Sequence, residues 1–325
     1  NKASIIEERC IYCGHCTQVC PTGAKKVRDG LTRAKFIIEK YPRVYLSLAP
    51  SYVSEFMDTP TPLLISSIRE LGFQGVSETA LGAEVVSART EEFLDQAKTG
   101  VYLSSACPVV VEYIRKYDIR HIPHNTPIVS PMRAHAKMLK EIYGEEIKII
   151  FAGPCICKKL EADFFNNLVD VVITFKDLKE GLNESDTWVS GITPTGESAG
   201  FIPYRSALGA LYPIEGGMLE GLHDTQRPVH RMAFSDLSTI RDVLYDLDTY
   251  RHPESLFLEL LACKGGCING PAKLSRISPA LKRYEIIRRS ETGNPVRDFA
   301  HLDLHLQYCK EPAIHEHNYT ETEIK

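Results

Sequence analysis

The pattern of apolar and polar positions changes along this chain, and the change sets out its organisation. From about residue 43, short apolar runs alternate with longer amphipathic stretches. Val44 to Ala49 is short enough for a strand and has too few polar positions for one solvated face. Val101 to Ser105, Ile147 to Ala152 and Val171 to Phe175 repeat the type. Thr61-Pro62 predicts a helix start, with Thr61 as N-cap, Pro62 in the first helical position and Gly72 as the stop. Ser130-Pro131 opens another helix, which Gly144 ends. Leu237, Ile240, Val243, Leu244 and Leu247 mark one face of a further amphipathic helix. The stretch around Ser255 to Ala262 reads as a helix. This alternation predicts an α/β architecture with mostly parallel sheets. Ligands in such folds bind beyond the carboxyl ends of the strands. Cys107 and Cys155 both lie just past predicted strands, where such a site forms.

Residues 1–34 do not share the alternation. They contain Cys10-x-x-Cys13-x-x-Cys16-x-x-x-Cys20-Pro21, the bacterial-ferredoxin run for a 4Fe–4S cluster. Zinc sites usually pair two separate C-x-x-C knuckles, so zinc is the weaker reading. In two-cluster ferredoxins the fourth cysteine serves the other cluster. Cys20 is therefore either the fourth ligand of a lone cluster or part of a shared pair. The chain begins with Asn rather than Met, and a second such motif is expected upstream. The expected division is a ferredoxin-like module over residues 1–34 and a larger domain over residues 35–325.

Composition narrows the class. With 325 residues the chain is long enough for a substantial core. Its net charge of −4 argues against a general nucleic-acid binder. No apolar run approaches the roughly 18 residues of a membrane span, and no signal peptide is visible. The ten cysteines fall at 10, 13, 16, 20, 107, 155, 157, 263, 267 and 309. A tight quartet and several pre-loop placements favour metal ligation in a reducing cytoplasm over a disulfide scaffold.

The densest chemistry lies at Glu259 to Pro271, ELLACKGGCINGP. Taken alone it could be a tight turn with two buried thiols. It stands beside Ser104-Ser105-Ala106-Cys107-Pro108 and Gly153-Pro154-Cys155-Ile156-Cys157-Lys158-Lys159-Leu160-Glu161. These three stretches resemble the signature loops of the FeFe-hydrogenases, from about Val44 to Gly270. The second follows that family's P-C-x-x-K-x-x-E, and the third follows its E-x-x-x-C-x-x-G-C-x-x-G.

The resemblance implies an H-cluster domain of two lobes, with mostly parallel sheets flanked by helices, behind a small ferredoxin-like α+β module. It implies a 4Fe–4S cube on Cys107, Cys155, Cys263 and Cys267. Cys267 would also bridge to a diiron subsite carrying CO, cyanide and an aza-dithiolate. Lys158 would donate to the cyanide of the outer iron, where a compact ammonium suits a single acceptor. Ala49-Pro50-Ser51 matches the family's A-P-S turn, with Ser51 donating to the other cyanide. Pro154 belongs to the second signature, and Glu161 would orient its loop. Substrates would be hydrogen and protons. Partners would be a ferredoxin-like electron carrier or a signalling protein, maturation enzymes and, as one allowed assembly, a second copy of the chain. Neither nucleic acid nor a membrane is expected.

Departures from the family are as informative. The first loop has Ala106 where a proton-carrying cysteine is usual, and alanine cannot act as a general acid or base. Arg89 stands at one acidic relay position, while Glu92 keeps the other. Gly153 and Leu261 stand where methionines are typical, which predicts a looser pocket. Ser198-Ala199-Gly200-Phe201 matches the family's glycine-rich run poorly. Cys157 reads as a buried inert thiol or, less simply, as part of a substitute proton route. Cys309 reads as structural, and the histidines at 121, 124, 301 and 305 as ordinary core or surface residues. The residues from His315 onward read as a loose polar tail. A lost proton relay predicts slow turnover and resembles the divergent, sensory FeFe-hydrogenases. A metabolic hydrogenase with another proton path, or a non-catalytic hydrogenase-like assembly protein, is the alternative.

Overall fold

The computed structural model describes residues 4–164, 168–185, 200–223, 225–247, 249, 254–290, 299 and 301–306. Ser198, Ala199, Cys309 and the tail from His315 lie outside these residues. The chain opens with a turn at Glu7–Arg9, then α1 (His15–Val19) and α2 (Leu31–Lys40). Next come β1 (Val44–Leu48), α3 (Thr61–Glu70), β2 (Gly75–Glu78) and α4 (Thr79–Gln96). They are followed by β3 (Val101–Leu103), α5 (Pro108–Tyr117), α6 (Pro131–Tyr143) and β4 (Lys148–Gly153). Then come α7 (Cys157–Phe164), β5 (Val171–Thr174), α8 (Phe175–Glu184), α9 (Gly217–Glu220) and β6 (Val229–Ser235). The last described elements are α10 (Leu237–Leu247), β7 (Ser255–Leu261) and α11 (Pro279–Ser290).

The strands form two sheets, ordered β2-β1-β4-β5 and β3-β7-β6. Every pairing is parallel. Helices cover the sheets, so β1, β2 and β5 are buried at every position, and β1 and β5 read as near-continuous apolar runs. The expected α/β architecture, with parallel sheets flanked by helices, is therefore observed.

Three local readings change. Ser255 to Leu261 is a strand, not a helix. It lies between β3 and β6 with both neighbours hydrogen-bonded and six of its seven positions buried. A leucine-rich run covered on both faces carries no periodicity to separate strand from helix. In α3, Thr61 is the first helical residue, and extended Pro60 takes the cap position without a side-chain cap. The N-terminal segment shows its helix α1 and no strand among its described residues. The flanks Ser4–Arg9 and Gly23–Gly30 are mostly polar and form no strand pairing. Helix α2 runs across residues 34 and 35, and its Ala34 and Ile37 pack into the core of the first sheet.

One buried polar group ties that sheet to its helical cover. His135 of α6 is fully buried, and its Nδ1 and Nε2 each lie 2.8 Å from a hydroxyl, of Ser47 and Ser77 respectively. Burial pushes the imidazole down to about 3, so it stays neutral near pH 7. Neutral imidazole has one donor and one acceptor, and serine hydroxyls satisfy either. Ser47 also lies 2.7 Å from Thr79 Oγ1 at the start of α4.

Candidate metal centre

Parallel strands deliver their following loops to one side, and here those loops enclose a cavity of about 100 Å³. Ala49, Pro50 and Ser51 reach it after β1, and Thr79 after β2. Ala106, Cys107 and Pro108 come after β3, and Pro154, Cys155 and Lys158 after β4. Leu261 ends β7, and Ala262, Cys263, Cys267 and Gly270 follow it into the wall. Thr79, Pro108 and Pro131 are each the first residue of a helix, α4, α5 and α6. Helix N-termini carry partial positive charge, so this convergence favours an anionic occupant.

The third loop is shaped by glycine. Gly266 has φ +106°, and a Cβ there would stand 2.3 Å from the Pro213 carbonyl oxygen. Only glycine tolerates both the left-handed backbone and that approach. The Gly265 amide donates to Ser235 Oγ at 2.8 Å, which ties the loop to the end of β6.

The electrostatics of the wall follow from enclosure. Burial pushes the Cys155 thiol up to about 11, against the pull of the Lys158 charge. Burial also raises Cys267 far above the ordinary thiol range, and the charges of Cys107 and Cys155 add to it. Cys263 is raised by burial, then by Cys267, Cys155, Cys107 and, from the N-terminal segment, Cys13. Lys158 Nζ lies 2.7 Å from Glu161 Oε2, and both side chains are almost enclosed. Burial opposes its charge, but Glu161 and Cys155 outweigh it and hold the ammonium above its ordinary value.

Four thiols, one ammonium and otherwise mostly apolar walls form the donor set of a soft, anionic metal group. Among the described residues, no three His, Cys, Asp or Glu side chains converge as ligands of a single ion would. Thiols spread around a cavity fit a cluster better than a mononuclear ion, so the residues present suit an iron–sulfur cube.

The other thiols form a separate, local group. The Tyr12 amide donates to Cys10 Sγ at 3.3 Å. Cys13 is raised by burial and by the charges of Cys10 and Cys16. Cys20 is pushed down to about 7, chiefly by the Thr22 hydroxyl. Gly14, at φ +77°, docks this segment on the cavity loops. A Cβ there would meet Ile156 Cδ1 and Pro271 Cβ, each at 2.6 Å.

The expected site residues fall into distinct places. Ala49, Pro50, Ser51, Ala106, Cys107, Pro154, Cys155, Lys158, Cys263 and Cys267 all line the cavity. Glu161 touches it only through Lys158. Cys157 is buried in the core of the second sheet, away from the cavity lining. Arg89 and Glu92 pair with each other at 2.6 Å on a partly exposed face. Gly153 does not open the pocket. A Cβ there would meet the Phe151 ring at 2.7 Å, and Phe151 lines the cavity in its place. His121 lies 3.0 Å from Asp118, and His124 lies 2.9 Å from the Val101 carbonyl oxygen.

Several wall residues were not legible beforehand. Met132 and Val109 each lie one residue past a helix-opening proline, at Pro131 and Pro108, the only signal that marked them. Tyr212 and Pro213 come from a segment with no motif. The Tyr212 hydroxyl lies 2.9 Å from Ser87 Oγ. In the sequence Glu259 stands only as the first letter of the third signature. It is buried, Oε1 accepts from the Met218 amide at 3.4 Å, and Oε2 has no hydrogen-bond partner among the described residues.

Residues 42–271 match the family described as iron only hydrogenase large subunit, C-terminal domain, and residues 3–26 match a 4Fe-4S binding domain. The chain belongs to the iron-only hydrogenase large-subunit family and is a hydrogenase-like iron–sulfur protein. It is 24% identical to the NADP-reducing hydrogenase subunit HndD of Solidesulfovibrio fructosivorans over 90% of its length, spanning 61% of that protein. It is 28% identical to the cytosolic Fe-S cluster assembly factor NAR1 homolog of Schizosaccharomyces japonicus over 45% of its length, spanning 35% of that protein. A variant of the FeFe-hydrogenase HydA1 from Chlamydomonas reinhardtii shares the fold, with a TM-score of 0.59 and 17% identity. That match covers 81% of this chain and 90% of that one. No helix among the described residues is long and apolar enough to cross a membrane.

Proposed function

We propose that this chain is a hydrogen-sensing FeFe-hydrogenase with slow reversible activity. The observation that carries the reading is the meeting of Cys107, Cys155, Cys263, Cys267, Lys158 and Ser51 on one cavity wall. In this reading the four thiolates would hold a 4Fe–4S cube, and Cys267 would also carry a diiron subsite with CO, cyanide and aza-dithiolate ligands. When bound, this group supplies the interconversion 2H⁺ + 2e⁻ ⇌ H₂.

The chain's own part is to hold, orient and exclude. Lys158 Nζ keeps its proton and would donate to a cyanide of the bound group, with Glu161 fixing its direction. Buried Ser51, on the cavity wall, would donate to the other cyanide. Phe151, Leu261 and Met132 close the wall against water. Residues 1–34 act as a ferredoxin-like module on Cys10, Cys13, Cys16 and Cys20, passing electrons between the cavity and an external partner. The packing of Gly14 on Ile156 and Pro271 supports that route. Ala106 supports a sensing role: a methyl group on the cavity wall cannot take up or release a proton.

A second reading is favoured by the likeness to the NAR1 homolog, in which the chain is a non-catalytic assembly protein that keeps the cube ligands alone. Infrared spectra after co-expression with maturation enzymes test both. Bands of iron-bound CO and cyanide support the hydrogenase. Their absence, with iron content intact, supports the assembly protein.

A further inference from the structure

Helix α5 has one end in the cavity and the other on the N-terminal thiol loop. Cys107 precedes its first residue, and Lys116 and Tyr117 form its last turn. Lys116 Nζ donates to the Cys10 carbonyl oxygen at 2.7 Å and to the Glu7 carbonyl oxygen at 3.1 Å. It lies 5.6 Å from the centre of the Tyr12 ring. The Tyr117 hydroxyl donates to the Arg9 carbonyl. No sequence motif marked Lys116, because its contacts span 106 and 109 residues.

Its ammonium is hydrogen-bonded to carbonyl oxygens, and Glu112 lies beyond hydrogen-bond distance of it. Glu112 Oε2 lies 3.6 Å from Lys116 Nζ, but Arg115 grips both oxygens of that carboxylate, at 3.0 Å and 2.8 Å. One carboxylate therefore serves two cations. The Lys116 side chain is only 8% exposed, so water screens its remaining charge poorly. The exposed Glu7 carboxylate also reaches Tyr12 beside this loop, together with Cys10, Glu112 and Cys157.

We propose that Lys116 is a positioning and redox-setting residue for the N-terminal iron–sulfur cluster, its ammonium anchored on the Cys10 carbonyl and raising that cluster's reduction potential. The inference rests on the reading above that Cys10, Cys13, Cys16 and Cys20 serve the N-terminal module's iron–sulfur chemistry. One-electron reduction adds one negative charge to the cluster and makes or breaks no bond. The electron comes from an external reductant such as dithionite. A fixed cation nearby favours the reduced form, and hydrogen bonding and charge around the sulfurs are established tuners of such clusters.

The test is a redox titration of the full holo-chain followed by electron paramagnetic resonance. The cavity cluster serves as an internal control at the far end of α5. Lys116→Gln is expected to lower one midpoint potential and leave the other in place. The reduced-to-oxidised ratio at a fixed potential should fall about tenfold, which is about 59 mV for one electron. Lys116→Arg keeps the charge and should stay near wild type. Glu112→Gln removes the partial counter-charge and should move the same potential upward. A Lys116→Gln cluster with an intact signal and an unmoved potential overturns the proposal. So do shifts of the same sign in Lys116→Gln and Glu112→Gln, which would mark a structural effect. If Lys116→Gln loses the cluster, Lys116→Arg and Glu112→Gln decide the matter by the same signs. No N-terminal cluster signal in the wild-type chain would overturn the underlying reading as well, a result distinct from an unmoved potential.

Discussion

The two groups of thiols in this chain differ in how they are made. The cavity group is assembled from loops after β3, β4 and β7, and exists only when both sheets are in place. The N-terminal group lies within one local turn-and-helix segment, with α1 starting between its cysteines. Their chemistry divides in the same way. Burial pushes Cys155 up to about 11, while the Thr22 hydroxyl pulls Cys20 down to about 7. A thiol must lose its proton to bind iron. Cys155, Cys263 and Cys267 are therefore held protonated until metal arrives, and Cys20 is already partly thiolate near neutral pH. A local turn can leave one thiol, Cys20, exposed and reactive even where burial raises its neighbour Cys13, whereas long-range packing encloses the cavity thiols until metal arrives.

The largest expected effect tests that separation. Cys263→Ala should remove the iron of one cube and spare the N-terminal signal. Cys13→Ala should do the reverse, read by iron analysis and electron paramagnetic resonance. Loss of both clusters in either variant breaks the comparison.

A change of rate comes next. Ala106→Cys restores an ionisable group on the cavity wall and should raise hydrogen evolution by about 10²–10⁴-fold, the usual contribution of a proton-transfer group. No gain would mean that protons already travel by another route, against the sensing role.

The fold beneath the cavity supplies a third test. Lys282 Nζ and Glu55 Oε1 lie 2.7 Å apart, each side chain 1% exposed. Lys282 also donates to the Ile268 carbonyl oxygen at 3.1 Å. The other Glu55 oxygen accepts the Leu274 amide at 2.5 Å and the Ser275 amide at 2.7 Å. The pair thus holds the turn that carries Ser51 to the loop after Cys267. Breaking a buried pair from one side costs about 3–5 kcal/mol. Lys282→Met should show that loss in urea unfolding, and adding Glu55→Met should recover part of it. A loss below about 1 kcal/mol would show that the pair does not hold this end of the cavity.

Glu259 gives a pH signature. Burial pushes its carboxyl up to about 8, against the amides of Met218 and Leu219. A folded-state value above the unfolded one stabilises fully below the ordinary 4.5, and that stabilisation is lost as pH rises to about 8. Each unit is worth about 1.4 kcal/mol. In the metal-free chain, Glu259→Gln should match wild type near pH 4.5 and exceed it by several kcal/mol near pH 8, read as urea midpoints. Equal slopes with pH would place the effect elsewhere. The smallest change is expected from Arg28→Gln. Its bond to Asp163 at 2.8 Å lies between side chains 61% and 41% exposed, a class that contributes below about 1 kcal/mol.

What could be read beforehand follows the same division between local and long-range structure. Cysteine spacing, the turn at Ala49-Pro50-Ser51 and most strands are local patterns, so they were legible. Ser255–Leu261 misled because burial on both faces removed the periodicity. Gly153 misled because the space above it is filled by Phe151, two residues earlier in the same strand. Lys116, Tyr212 and the Glu55–Lys282 pair carry no motif. Each is defined by partners more than 100 residues away, which no local window contains.

The Glu55–Lys282 contact also bears on the order of events during synthesis. Its partners are 227 residues apart, and a ribosome makes Glu55 long before Lys282. Until α11 emerges, that carboxylate has no ammonium, and the stretch from Ile268 to Ser275 lacks its clamp. The cysteines at 10, 13, 16 and 20, by contrast, all lie within eleven residues of one another and are made before any of the cavity cysteines. Iron can reach them while the rest of the chain is still being translated, whereas the enclosed site can close only after most of the chain is out.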